Sequence, residues 1–119
     1  MKTKMLKKNY EFRQVFAKKN YYSGKYLEMF VIDNKQNQNY LGIAVSRKSA
    51  NSVKRNKIKR LIRESYRQIE PKIVLGKTYV ILWKKKSKVE DIDYYNIKND
   101  INIMFKKANL LKEEEWKKY

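Results

Sequence analysis

Apolar and polar positions along this chain change period several times, and each change marks an element. Near the N-terminus Phe12, Val15 and Phe16 fall at i, i+3 and i+4, one face of a helix, with Asn9 placed as its cap and Glu11 in its first turn. Tyr21-Tyr22-Ser23-Gly24 reads as a turn. Residues 26–32 and 40–45 are rich in β-forming residues and read as strands. The polar segment 33–39 between them predicts a hairpin loop and an antiparallel pair. The longest helical pattern covers 52–69, with Asn51 or Ser52 as cap and Pro71, the only proline, just past its end. A third strand, 78–83, is entered through Gly76.

A last helix over 94–108 presents Tyr94, Ile97, Ile101, Met104, Phe105 and Ala108 as one stripe, most simply a core face. The acidic run Glu90-Asp-Ile-Asp93 ahead of it suits a helix N-terminus. Lys112 to Lys118 reads as a short terminal helix or a frayed tail. The order α-β-β-α-β-α predicts an α+β sandwich, with helices packed on a small mixed sheet. The direction of the third strand does not follow from the pattern. No internal repeat is present, and 119 residues make one domain, with a core over about 6–110, a basic N-terminal arm and a charged C-terminal tail.

Charge narrows the function. Thirty Lys and Arg against twelve Asp and Glu give a formal net charge of +18, a field that concentrates polyanions, so nucleic acid is the first candidate partner. Zero Cys excludes disulfides and thiolate metal sites, and zero His removes the commonest metal ligand and general base. With no carboxylate cluster suited to Mg²⁺, no catalytic or metal-binding residue is assigned. Neither a signal-peptide pattern nor a membrane-length apolar run is present, so a cytoplasmic protein without a membrane role is expected.

The basic helix concentrates that charge. Ile58, Leu61, Ile62, Tyr66 and Ile69 cluster on one side, while Asn56, Arg60, Arg63 and Arg67 align on the other. Guanidinium forks grip phosphate bidentately, and arginines set this close repel one another unless phosphates compensate them. From these residues alone, a ribosomal or other RNA-scaffold protein fits as well as any other RNA binder.

Three segments in order break that tie. Val53-Lys-Arg-Asn-Lys-Ile-Lys-Arg-Leu-Ile-Arg63 resembles the Arg-Asn-Arg signature helix of the bacterial ribonuclease P protein family, with Lys57 standing where the second Arg is usual. Leu6-Lys-Lys-Asn-Tyr-Glu-Phe-Arg-Gln-Val-Phe16 resembles the family's N-terminal segment, and Leu41-Gly-Ile-Ala-Val-Ser-Arg-Lys48 its strand before the signature helix. Ala50 and Ser52 replace the Gly and Ala common just before the motif.

The resemblance implies a left-handed crossover between two parallel strands, made through the long helix. It implies a non-catalytic protein subunit of an endoribonuclease, whose RNA subunit carries the chemistry and requires Mg²⁺. The implied partners are that catalytic RNA and precursor tRNA, with no obligate protein partner. By position, Arg55, Asn56, Lys57, Lys59, Arg60 and Arg63 would face the catalytic RNA, and the helical wheel adds Arg67. Phe12, Phe16 and Phe30 would line a cleft for the single-stranded 5′ leader, with Arg47, Lys48 and Lys84 as charged neighbours. Read without the resemblance, Phe12 and Phe16 are simply core.

Overall fold

The computed structural model describes residues 2–18 and 20–112. Its elements, in chain order, are β1 (Lys4–Met5), α1 (Asn9–Ala17), β2 (Tyr21–Ser23), β3 (Leu27–Asp33), β4 (Tyr40–Ala44), α2 (Ser52–Ile69), β5 (Lys77–Trp83) and α3 (Tyr94–Lys107). The strands form one mixed sheet in the order β1-β4-β5-β3-β2. The α+β sandwich expected from the pattern is present, with two short strands added. The tail from residue 113 onward lies outside the described residues.

Two expectations about the strands are corrected. Tyr21–Ser23 is not a turn but strand β2, paired antiparallel with β3, and the reversal follows at Gly24 to Tyr26. The strands flanking 34–39 run in opposite directions but do not form a hairpin. β5 lies between them, antiparallel to β3 and parallel to β4. A gap of about 10 Å across one intervening strand is easily spanned by such a segment at ~3.3 Å per residue. The segment's own asparagines hold β5 in the gap. The Asn34 N–H donates to the Gly76 carbonyl (2.9 Å), the Asn34 amide to Thr78 Oγ1 (3.1 Å), and Asn39 Oδ1 accepts the Lys77 N–H (2.9 Å).

Helix ends follow local chemistry. Asn51 caps α2 through Oδ1, which accepts the Lys54 N–H at 2.9 Å, and Asp93 does the same for α3 with the Asn96 N–H at 3.0 Å. Asn9 is the first residue of α1 rather than its cap. Glu11 instead reaches back to the Lys8 and Lys7 N–H groups, which hold its carboxyl below the usual value.

The sheet separates two unequal layers. Leu27, Met29 and Val31 of β3, with Leu41, Tyr79 and Ile81 of the neighbouring strands, are buried in the main core beneath α2 and α3. That core takes Ile58, Leu61, Ile62, Tyr66 and Ile69 from α2, and Ile97, Ile101, Met104 and Phe105 from α3. On the opposite face α1, together with Leu6 just before it, covers part of the sheet and buries Val15.

The N-terminal arm is stitched down. Lys4–Met5 pairs in parallel with β4, and the Glu70 carboxylate at the end of α2 accepts the Lys2 and Thr3 N–H groups (3.1 and 2.9 Å). Thr3 Oγ1 shares a hydrogen bond with the buried Tyr66 hydroxyl at 2.6 Å. Burial pushes Glu70 up, but these hydrogen bonds and the amino terminus outweigh it and leave its pKa lowered from 4.5. A depressed carboxyl contributes stability above the unfolded-state pKa and loses it as pH falls through the folded value. Urea midpoints of the protein and of Glu70→Gln should therefore differ by a constant amount above pH ~5 and converge below pH ~4. A difference that stays flat down to pH 3 would contradict the clamp.

Candidate nucleic-acid interface

One row across the sheet organises the α1 face. Gly42 of β4 pairs with Val80 of β5, Val80 with Phe30 of β3, and Phe30 with Tyr21 of β2. α1 crosses the strands along this row. The Phe12 ring lies on Gly42, where an added Cβ would stand 2.6 Å from Phe12 Cε1, so glycine is what lets the ring down onto the sheet. One turn later Phe16 meets Phe30 edge-on, with ring centroids 5.0 Å apart. Tyr21 packs on the far side of Phe30 at 5.2 Å. Phe16 and Phe30 are thus brought together, half-buried, while Phe12 sits two strands away.

Beside this row runs a half-buried strip, Ala44, Leu82 and Glu28, from the next register positions of β4, β5 and β3. Arg47 and Lys48 are exposed in the turn that leaves β4 at this end of the strip. Lys84 follows β5 there, its ammonium donating to the Gly24 carbonyl at 2.6 Å. The other flank of α1 is a separate crevice lined by Tyr10, Gln14, Tyr40 and Thr78. Helical periodicity therefore turns exposed Arg13 toward the strip, on the same flank as Phe16.

Sequence reasoning missed Arg13, Tyr21 and Glu28. The Tyr21 hydroxyl donates to Glu28 Oε2 at 2.6 Å, and that bond raises the Tyr21 pKa. The i, i+7 spacing of this pair carries no signal until the β2–β3 register is known.

The second basic surface is the outer face of α2. Asn56, Lys57, Arg60, Arg63 and Arg67 are exposed, and Lys59 is half-buried. Arg55 is also half-buried, and its guanidinium donates to the Ala50 carbonyl at 2.9 Å, bracing the segment that leads from β4 into the helix. Among the described residues the only ion pair joins Lys77 to Asp33, at the other end of the sheet, and none involves an α2 cation. What this arrangement can do chemically is bind phosphates along a helix and stack unpaired bases beside another. Among the described residues no group of three or more His, Cys, Asp or Glu is placed to hold a metal ion, and no helix is long and apolar enough to cross a membrane.

Comparison with known proteins points the same way. A family model described as Ribonuclease P matches residues 1–109. The chain is 38% identical over 108 residues to the ribonuclease P protein component of Natranaerobius thermophilus, covering 91% of this chain and 92% of that one. It is 40% identical over 111 residues to the Clostridium botulinum counterpart, covering 92% and 98%. Among solved structures, the Staphylococcus aureus RNase P protein superposes with a TM-score of 0.81 at 29% identity, covering 93% of this chain and 100% of that one. The Thermotoga maritima RNase P protein gives 0.76 at 25% identity, with 87% and 96% covered.

Proposed function

The chain belongs to the ribonuclease P protein family, and from that premise we propose that it binds a catalytic RNA through the outer face of α2 and the 5′ leader of precursor tRNA beside α1. It thereby assists endonucleolytic removal of the leader and contributes no catalytic group of its own. The observation that carries the reading is the division of labour between the two surfaces. The α2 face offers guanidinium groups without aromatic platforms, as suits the phosphates of a folded RNA. The α1 face offers half-buried rings with cations at their edge, as suits an unpaired strand. In this reading hydrolysis and its Mg²⁺ belong to the RNA, and the protein's cations lower the ionic requirement for holding the substrate.

Reconstitution tests this. The purified chain added to a bacterial ribonuclease P RNA should restore 5′ maturation of precursor tRNA at Mg²⁺ concentrations where the RNA alone is inactive. The chain alone should cleave nothing, and metal-dependent cleavage without RNA would sink the proposal. In the same system Arg60→Ala and Arg63→Ala should weaken RNA binding with unchanged circular dichroism. Each should also shallow the slope of log K against log salt by about 0.7–0.9 per lost phosphate contact. Unchanged affinity and slope in both variants would place the RNA surface elsewhere.

A further inference from the structure

α1 divides its face of the sheet into two strips, and the surfaces described above use only one of them. On the flank away from Phe16 a second row of register partners, Lys4, Tyr40, Thr78 and Ile32, crosses β1, β4, β5 and β3. Tyr40, Thr78 and Ile32 floor a crevice of about 360 Å³, and exposed Lys4 stands next to Tyr40 at the sheet edge. Tyr10 and Gln14 line the crevice from α1, and Gln36 lines it from the segment between β3 and β4. Tyr10 is 51% exposed, so its ring adds little to the packing of α1. Exposed Lys8 lies beside it, with its ammonium 5.9 Å from the ring centroid. The Tyr40 hydroxyl donates to Gln36 Oε1 at 3.0 Å, which fixes the second ring in place. Glu11 also lines the crevice, with Oε1 turned to the Lys7 and Lys8 N–H groups.

Lys35 stands next to Gln36 with φ +58°, a left-handed conformation that glycine adopts freely and other residues avoid. The turn around it is fixed, because Asn34 Oδ1 accepts the Gln36 N–H at 2.8 Å and the Asn34 amide donates to the Gln38 carbonyl at 2.9 Å. A lysine therefore occupies this exposed position against the local preference of the backbone. Strain kept at such a place points to a use for the side chain.

We propose that this crevice binds a stretch of unpaired RNA, its bases against Tyr10 and Tyr40 and its phosphates toward Lys4, Lys8 and Lys35. Phenol rings offer stacking faces, and the Gln14 and Gln36 amides can both donate to and accept from base edges. A bare anion would use the lysines and leave rings and amides unmatched. A duplex keeps its base faces stacked inside, so the occupant is single-stranded. Either an unpaired segment of the catalytic RNA or the leader where it passes α1 supplies that chemistry. The inference rests on the reading that the chain binds RNA, and it uses no residue assigned to the leader strip or to the α2 face.

The test compares Tyr10→Ala and Lys35→Gly with Arg60→Ala, each in the full chain. Affinity for a bacterial ribonuclease P RNA is measured first, then that of the reconstituted complex for precursor and mature tRNA, with urea melts of every variant. Tyr10→Ala should weaken RNA binding roughly tenfold, the loss of one base–aromatic stack, with little change in urea midpoint. Lys35→Gly should loosen binding and shallow the slope of log K against log salt by about 0.7, the single-strand value for one phosphate. Its midpoint should stay the same or rise, because glycine relieves the left-handed strain. Losses in binding to the ribonuclease P RNA assign the occupant to that RNA. Losses confined to precursor tRNA, with mature tRNA bound as before, assign it to the leader. If Arg60→Ala weakens RNA binding and the other two variants bind every RNA as the unaltered chain does, the crevice proposal falls and the α2 reading stands. If none of the three weakens binding, both fall. A loss in Tyr10→Ala that follows a lowered midpoint, with Lys35→Gly binding normally, would also overturn the crevice proposal.

Discussion

Asp100→Ala should lower folding stability by about 3–5 kcal/mol, a large share of the ~5–15 kcal/mol that holds a small domain together. Asp100 is 2% exposed on the inner side of α3, where its carboxylate collects the backbone of the β2–β3 turn. Oδ1 accepts the Lys25 N–H at 3.0 Å, and Oδ2 accepts the Tyr26 and Leu27 N–H groups at 2.6 and 2.8 Å. Removing the carboxylate strands these donors at roughly 1–3 kcal/mol each where water cannot replace it, and the part-buried N–H of Lys25, an exposed residue, suffers less than the buried Leu27 N–H. Asp100→Asn keeps one acceptor oxygen and sets an amide N–H against a backbone N–H, so it should fall between the two. Gly24 is part of the same device, since a Cβ there would stand 2.6 Å from Asp100 Cγ. Urea midpoints followed by circular dichroism measure the effect. A midpoint for Asp100→Ala equal to that of the unaltered chain would mean that solvent replaces the carboxylate without cost.

This carboxylate also marks where the sequence stopped being legible. Asp100 looks like one more polar residue in a helix, and its importance depends on a turn 75 positions upstream. The same holds for β2, because Tyr21–Ser23 is too short to show alternation and becomes a strand only through pairing with β3. The absent hairpin is different, since a signal for it existed. Thr78 to Ile81 are all buried, and the uninterrupted apolar run of β5 is the pattern of a strand covered on both faces, hence a central one. Loop length argued for β3 beside β4, and the burial demand of β5 prevailed.

What periodicity alone could place, it placed well. α2 runs over Ser52–Ile69 as read, with its apolar and arginine faces opposed, because an 18-residue amphipathic pattern between an Asn cap and a proline leaves little choice. At the α1 face, periodicity put Phe12 and Phe16 on one side of a helix. Which strands they meet depends on Gly42 and on the Val80 register, and both are tertiary facts.

Phe30→Ala should weaken precursor tRNA binding by the reconstituted complex about five- to 150-fold, the worth of one base–aromatic stack at roughly 1–3 kcal/mol. Mature tRNA, which lacks the leader, should bind as before. The ring's position makes the two effects separable. Phe30 is half-buried between Phe16 and Tyr21, outside the main core cluster, so the truncation should cost less than the ~3–5 kcal/mol of a fully buried phenylalanine. Phe16→Ala should mix the effects, because its ring holds α1 against Phe30 as well as bordering the strip. Phe12→Ala should lean toward stability, since its ring fills the space over Gly42. Affinities for both tRNAs, measured beside urea melts of the three variants, rank them. If Phe30→Ala weakens both tRNAs alike and lowers the unfolding midpoint as far as Phe12→Ala does, then the ring is packing for α1 and the leader lies elsewhere.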